Sequence, residues 1–234
     1  MGAGALVQSA VGFGFALLSA PVLTAAFGPR ASVSAIASAG LLVTLLTLTA
    51  ERRPREVLGR RTLVMVLASI PGMVAGALLL RDAPIDLLRV LVGAAVLAAV
   101  AITARARPRE PHGRGWGGAA TAGVLSGALA TSTGMNGPPL VLHLLHRGAT
   151  PTQTRDTLSA VFLVSGVLML AALVAAGAFR PPGGVAWLIA IAVGGQLAGR
   201  RAFALLRPRY RAVTLAVLVA SALAGLVPVV QALV

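Results

Sequence analysis

The charged residues of this chain are confined to a few short segments. Stretches long enough to form whole helices carry none, and Arg-rich pieces between them carry nearly all. Only 11% of the residues are charged, against 57% hydrophobic. A soluble domain is about a quarter charged, so the missing charge matters more than the apolar content. A helix on a soluble core needs a polar outer face. Most helix-length windows here are apolar all round, which calls for lipid or for the interior of a membrane bundle. The chain therefore reads as an all-α integral membrane protein.

The formal net charge is +14, and every basic residue is Arg. On a soluble protein that charge would suggest nucleic acid. Here no basic patch interleaved with aromatics lies on an amphipathic element, and one Tyr and two Trp leave little for base stacking. The Arg residues instead suit loops held at the lipid headgroups. With no Cys, thiolate metal sites and disulfides are excluded. His143 and His146 share a helical face but have no carboxylate near them in sequence, so neither a metal nor a cofactor is expected. A cleavable signal peptide is not expected either, because no basic stretch precedes the first apolar run.

Eight apolar segments follow one another: Gly2 to about Phe27, Ala31–Ala50, Thr62–Leu80, Leu87–Ala104, Trp116 to about Leu145, Thr157–Ala178, Val185–Leu206 and Tyr210–Val234. At about 1.5 Å per residue, most are long enough to span. The polar stretch 105–115 is the one convincing internal boundary. It divides a first membrane repeat, 1–104, from a second, 116–234, as a cytoplasmic linker. The halves share an ordered series of motifs about 120 residues apart. Val-Gly-Phe-Gly14 matches Thr-Gly-Met-Asn-Gly137, Pro21 falls near Pro139, and Pro-Gly-Met-Val-Ala-Gly76 matches Gly-Gly-Gln-Leu-Ala-Gly199. The common order points to an internal duplication.

The distribution of Arg selects among topologies. If all eight segments alternate, ten Arg fall on each side, and no orientation is favoured. If the fifth segment, broken at Thr131-Ser-Thr-Gly-Met-Asn-Gly-Pro-Pro139, enters and returns on one side, sixteen fall inside and four outside. The positive-inside rule thus favours a re-entrant fifth segment. By the repeat, the first segment should also be broken, around Gly12 and up to Pro21, and should enter from the opposite face. The expected architecture is about eight membrane segments in two inverted repeats. Broken helices in inverted repeats are a transporter signature, with the site where they meet.

Unwound backbone at membrane depth has to be satisfied by protein, water or substrate. The two breaks supply the candidate substrate-binding residues: Gln8, Gly12 and Gly14 in the first, and Thr131, Ser132, Thr133, Gly134, Met135, Asn136, Gly137 and Pro138 in the second. Pro138 and Pro139 suit the first turn of a new helix, whose N-terminal dipole favours an anion. The Thr and Ser hydroxyls serve either the substrate or their own helix. Gly72, Gly76, Gly195 and Gly199 read mainly as packing positions. Gln196 is a polar residue among them with a candidate site role. The acidic residues all lie in loops or near helix ends, which disfavours a buried-carboxylate pump or a cation carrier. Arg155 and Asp156 form a tentative gating pair, or an interfacial one. No catalytic set appears, so no enzyme is expected.

At these residues the chain resembles the sulfite exporter TauE/SafE family. The resemblance spans nearly the whole chain. It rests on the Gly-rich first segment up to Pro21, on Thr-Gly-Met-Asn-Gly-Pro-Pro-Leu140, on Arg155-x-Thr157-Leu158 and on the duplicated layout. It implies a permease for sulfite, a sulfonate or a related organosulfur or carboxylate anion in the bacterial inner membrane. It also implies that the partners are that small anion and the bilayer, with no nucleic acid, and it leaves a homodimer open. A non-transporting membrane scaffold and a channel are the other readings.

Overall fold

The computed structural model describes residues 1–50, 56–105, 116–206 and 230. The elements in them are all helices: α1 (Gly2–Val11), α2 (Phe15–Phe27), α3 (Pro29–Ala50), α4 (Gly59–Asp82), α5 (Ile85–Arg105), α6 (Trp116–Thr133), α7 (Gly137–His146), α8 (Pro151–Ala175) and α9 (Val185–Leu206). Stretches 29–49, 59–82 and 152–175 are long and apolar enough to cross a bilayer. Leu63, Leu67, Val74, Val167 and Val174 stand exposed on them, as lipid-facing side chains would. The expected eighth segment, apart from Val230, and nearly all of the linker lie outside the described residues.

The expected first and fifth segments are each two helices. Gly12 and Gly14 separate α1 from α2, and Gly134 to Asn136 separate α6 from α7. Each pair folds back on itself. In the second, Ser126 Oγ donates to the Asn136 carbonyl at 2.7 Å. Further from the turn, a Cβ on Gly118 would sit 3.3 Å from His143 Nδ1. In the first, a Cβ on Gly4 would strike the Phe15 carbonyl and one on Gly14 would strike Val7. Both breaks are therefore tips of helical hairpins.

Each hairpin leans on a glycine-bearing helix of the other half. A Cβ on Gly72 or Gly76 of α4 would land on the carbonyls of Val124 or Ala128 of α6. The same relation recurs about 122 residues away, where Gly195 and Gly199 of α9 meet the carbonyls of Gly2 and Leu6 of α1. Small residues let backbones approach this closely in membrane bundles. Within each pair the helices run in the same direction.

Helices α3 and α8 pack at the centre and are antiparallel. Leu41 meets Gly166 midway, while Ser34 near the start of α3 accepts a hydrogen bond from the Arg180 N–H beyond the end of α8. That bond, at 2.8 Å, has its counterpart in the Leu58 N–H donating to Thr157 Oγ1 at 3.1 Å. One end of the bundle thus gathers the starts of α4, α6 and α8 with the ends of α3, α7 and α9. Arg60, Arg61 and Arg147 line a surface basin of about 400 Å³ at this end.

Several features differ from the sequence reading. Helix α8 starts at Pro151, not Thr157. Thr150 caps it, accepting from the Gln153 N–H at 3.1 Å while the Gln153 side chain accepts from the Thr150 N–H. Arg155 and Asp156 are therefore helical, and Asp156 is buried. Pro21 does not end the first hairpin but lies inside α2. Nearby, Ser32 Oγ reaches the Ala20 carbonyl at 3.3 Å. Arg30, expected only as a loop charge, caps α4 by donating to the carbonyls of Leu80, Arg81 and Ala83 at 2.9 to 3.0 Å.

Candidate functional site

The two tips meet across α3 and α8 and enclose a cavity of about 50 Å³. A site for one water needs roughly 10–15 Å³ on a comparable measure, so the space suits a few waters or one small oxyanion. Gln8 and Gly14 line it from the first tip, with Phe13, Phe15, Ala16 and Leu17. Gly134, Met135, Asn136, Gly137 and Pro138 line it from the second. Ile36, Gly40 and Thr44 of α3 and Phe162, Gly166 and Met169 of α8 complete it. None of the lining side chains is ionisable.

The cavity receives the N-terminus of one helix from each hairpin. Gly14, at φ +113°, turns the chain into α2. That left-handed backbone is the province of glycine. The first-turn N–H groups of Phe15, Ala16 and Leu17 have no acceptor within the helix. Gly134, at φ +82°, ends α6, and Asn136 then opens α7 with two prolines in its first turn. Proline fits that turn but has no N–H. Pro138 therefore shapes the wall without donating, which corrects any expectation of a backbone donor there. The donors from this tip are Gly137 N–H and the Asn136 amide. Two positive dipole ends facing one small space favour negative charge.

Four of the candidate substrate-binding residues and the tentative gating pair are placed elsewhere. The single Thr131 hydroxyl proton is shared between the Met73 carbonyl at 2.8 Å and that of Gly127 at 3.2 Å. Ser132 and Thr133 each donate to the carbonyl four residues back, at 2.7 Å. Their hydroxyls satisfy backbone, as Ser and Thr in membrane helices often do. Gly12 does not line the cavity, and it packs against the Arg155 side chain. Arg155 donates to the Ser9 carbonyl at 3.1 Å, and Asp156 accepts from the Glu56 N–H at 3.0 Å. Both residues tie α8 to other parts of the bundle.

Sequence reasoning missed Thr44, Phe13, Phe15 and Phe162. Thr44 Oγ1 accepts from Gln8 Nε2 at 3.3 Å and so orients that amide in the cavity wall. A threonine in an apolar helix gives no signal of this until the hairpin is docked. Phe13, lying between Gly12 and Gly14, was legible as part of the tip but not as a wall.

A family model described as sulfite exporter TauE/SafE matches residues 1–225. A curated relative from Cupriavidus necator, described as a probable sulfite/organosulfonate exporter TauE, is 28% identical over 175 residues. That match covers 72% of this chain and 67% of the relative. No solved structure matches. With apolar helices folded into paired hairpins and a family model matching almost end to end, the chain is a multi-pass membrane transport protein of the sulfite exporter TauE/SafE family.

Proposed function

We propose that this protein is a permease for a small sulfur oxyanion, sulfite or a short organosulfonate, that binds between the two hairpin tips. The observation that carries this is the convergence of two helix N-termini on one cavity with no carboxylate in its wall. Neutral donors at fixed positions hold an anion without trapping it as a buried Arg would. Phe13, Phe15, Phe162 and Met135 give the cavity an apolar side that accommodates a short carbon chain while the sulfonate faces the donors. The relative's description as a sulfite/organosulfonate exporter supports the same class.

The mechanism we infer is alternating access between inverted halves in a cell membrane. Equivalent helices α3 and α8 run antiparallel, and the contacts of each hairpin recur in the other half. A two-fold axis in the membrane plane has these consequences. Both hairpins would then be re-entrant from opposite faces, with the Arg-rich end cytoplasmic. Rocking one hairpin and its glycine-bearing partner against α3 and α8 would expose the cavity to each side in turn.

Uptake of labelled sulfite and labelled ethanesulfonate by proteoliposomes tests this reading, with chloride as the competitor that should fail. Saturable uptake of either sulfur anion, blocked by the other, is the expected result. Flux no greater than in empty liposomes, under any imposed anion or pH gradient, would reject it.

A further inference from the structure

A buried polar seam leaves the cavity toward the Arg-rich end of the bundle. It begins at Gln8 and Thr44 in the cavity wall. One turn along α3, Thr47 Oγ1 accepts from Gln196 Nε2 of α9 at 2.6 Å. Ser9 of α1 follows, packed beside Gly199 of α9, and its carbonyl accepts from Arg155. Gln8, Thr44, Thr47, Ser9 and Gln196 are all buried, Gln196 completely. From Thr44 to Thr47, α3 runs toward the Arg-rich end of the bundle.

The seam is incompletely satisfied by protein. Thr47 Oγ1 already donates to the Val43 carbonyl at 2.8 Å, so toward Gln196 it can only accept. That fixes the amide with Nε2 facing Thr47 and turns Oε1 away, where it has no partner among the described residues. Ser9 Oγ is likewise buried without a partner among them. A buried acceptor left unsatisfied is costly, and a bound water removes that cost.

The other half has no such seam. With the register of about 122 residues set by the glycine contacts, Gln8 corresponds to Ala130, Thr44 to Gly166, Thr47 to Met169 and Gln196 to Met73. Ala130, Met73 and Met169 belong to one buried apolar cluster with Met169 in the cavity wall. Thr131, the counterpart of Ser9, has its hydroxyl fully engaged by backbone.

We propose that Gln8, Thr44, Thr47, Ser9 and Gln196 form a water-lined passage for the anion between the cavity and the Arg-rich face. Gln196 is its polar station, and the equivalent positions of the other half, Met73 and Met169, are apolar and supply no such station. This rests on the permease reading for its cargo, but the hydration of the seam does not.

The chain has no Cys, so single-Cys variants report access directly. Thr47→Cys, Gln196→Cys, Met73→Cys and Met169→Cys would be treated from the Arg-rich face with a membrane-impermeant anionic methanethiosulfonate. Ala149→Cys marks that face. Thr47→Cys and Gln196→Cys are expected to react at least about tenfold faster than the two Met positions. Equal rates at all four, or faster reaction at Met169→Cys, would overturn the passage. Gln196→Leu supplies a second reading, with anion flux expected to fall at least fivefold while anion binding persists. Unchanged flux in that variant would contradict the station. Fast labelling at Thr47→Cys in a protein that moves no anion would keep the passage and remove the permease. Transport with uniform labelling would do the reverse.

Discussion

At the scale of single residues, the polar atoms of the second break divide into two sets. The hydroxyls of Thr131, Ser132 and Thr133 close onto helix carbonyls, while Asn136 and the Gly137 N–H remain at the cavity. Thr133→Val should therefore leave anion uptake within about twofold of the parent, because only a bond of about 1 kcal/mol to its own helix is lost. The rate of uptake in proteoliposomes measures this, and a tenfold loss would place the hydroxyl in the site. The residue types in the break were legible in the sequence; their allegiance was not. A Ser or Thr hydroxyl reaches either a ligand or the carbonyl a turn behind it, and only the direction of the turn at Gly134 decides. Arg30 was misread for a similar reason. Its role as the cap of α4 depends on a residue fifty places away, and Arg30→Ala should cost about 1–2 kcal/mol by thermal unfolding in detergent.

At the scale of elements, close glycine contacts hold each hairpin against its partner helix. Gly127 of α6 lies so near α4 that a Cβ would fall on the Ser69 carbonyl. Gly127→Ala should lower stability by about 1–3 kcal/mol, the usual cost of overpacking. Thermal unfolding of the detergent-purified variant checks it, and an unchanged midpoint would mean that α4 and α6 separate easily. The hairpins themselves were readable from the Gly and Pro content of the breaks and from the Arg distribution. The passage of α2 through Pro21 was not, because a proline in a membrane helix is tolerated when neighbours satisfy the freed backbone. The start of α8 was missed because the capping residues Thr150 and Gln153 precede the apolar run that drew attention.

At the scale of the whole molecule, the account requires the ends of the chain's halves to face opposite ways. Ala149 lies at the Arg-rich end, and Gly183 lies in the exposed turn before α9. Cys introduced at the two positions should react with an impermeant maleimide from opposite sides of the membrane. Labelling of both from one side would mean that α8 does not cross, and reaction of Gly117→Cys and Ala149→Cys from opposite sides, where the same side is expected, would remove the re-entrant second hairpin and with it the inverted relation of the halves. The order of short motifs led to the expectation of a duplication. The pairing of each hairpin with a helix of the other half was not legible, since sequence order says nothing about exchange between repeats. The one-sided polar seam was equally hidden, because it depends on comparing positions across a register that only the contacts establish.

On the reading proposed above, the space between the tips binds a small sulfur oxyanion by neutral donors. Titration calorimetry of the purified protein with sulfite and with ethanesulfonate, alongside Asn136→Ala, tests it most directly. Saturable binding of one anion per chain, weakened at least tenfold by Asn136→Ala and absent for methylammonium, is the predicted result. Binding that Asn136→Ala leaves intact, or that favours the cation, would contradict it.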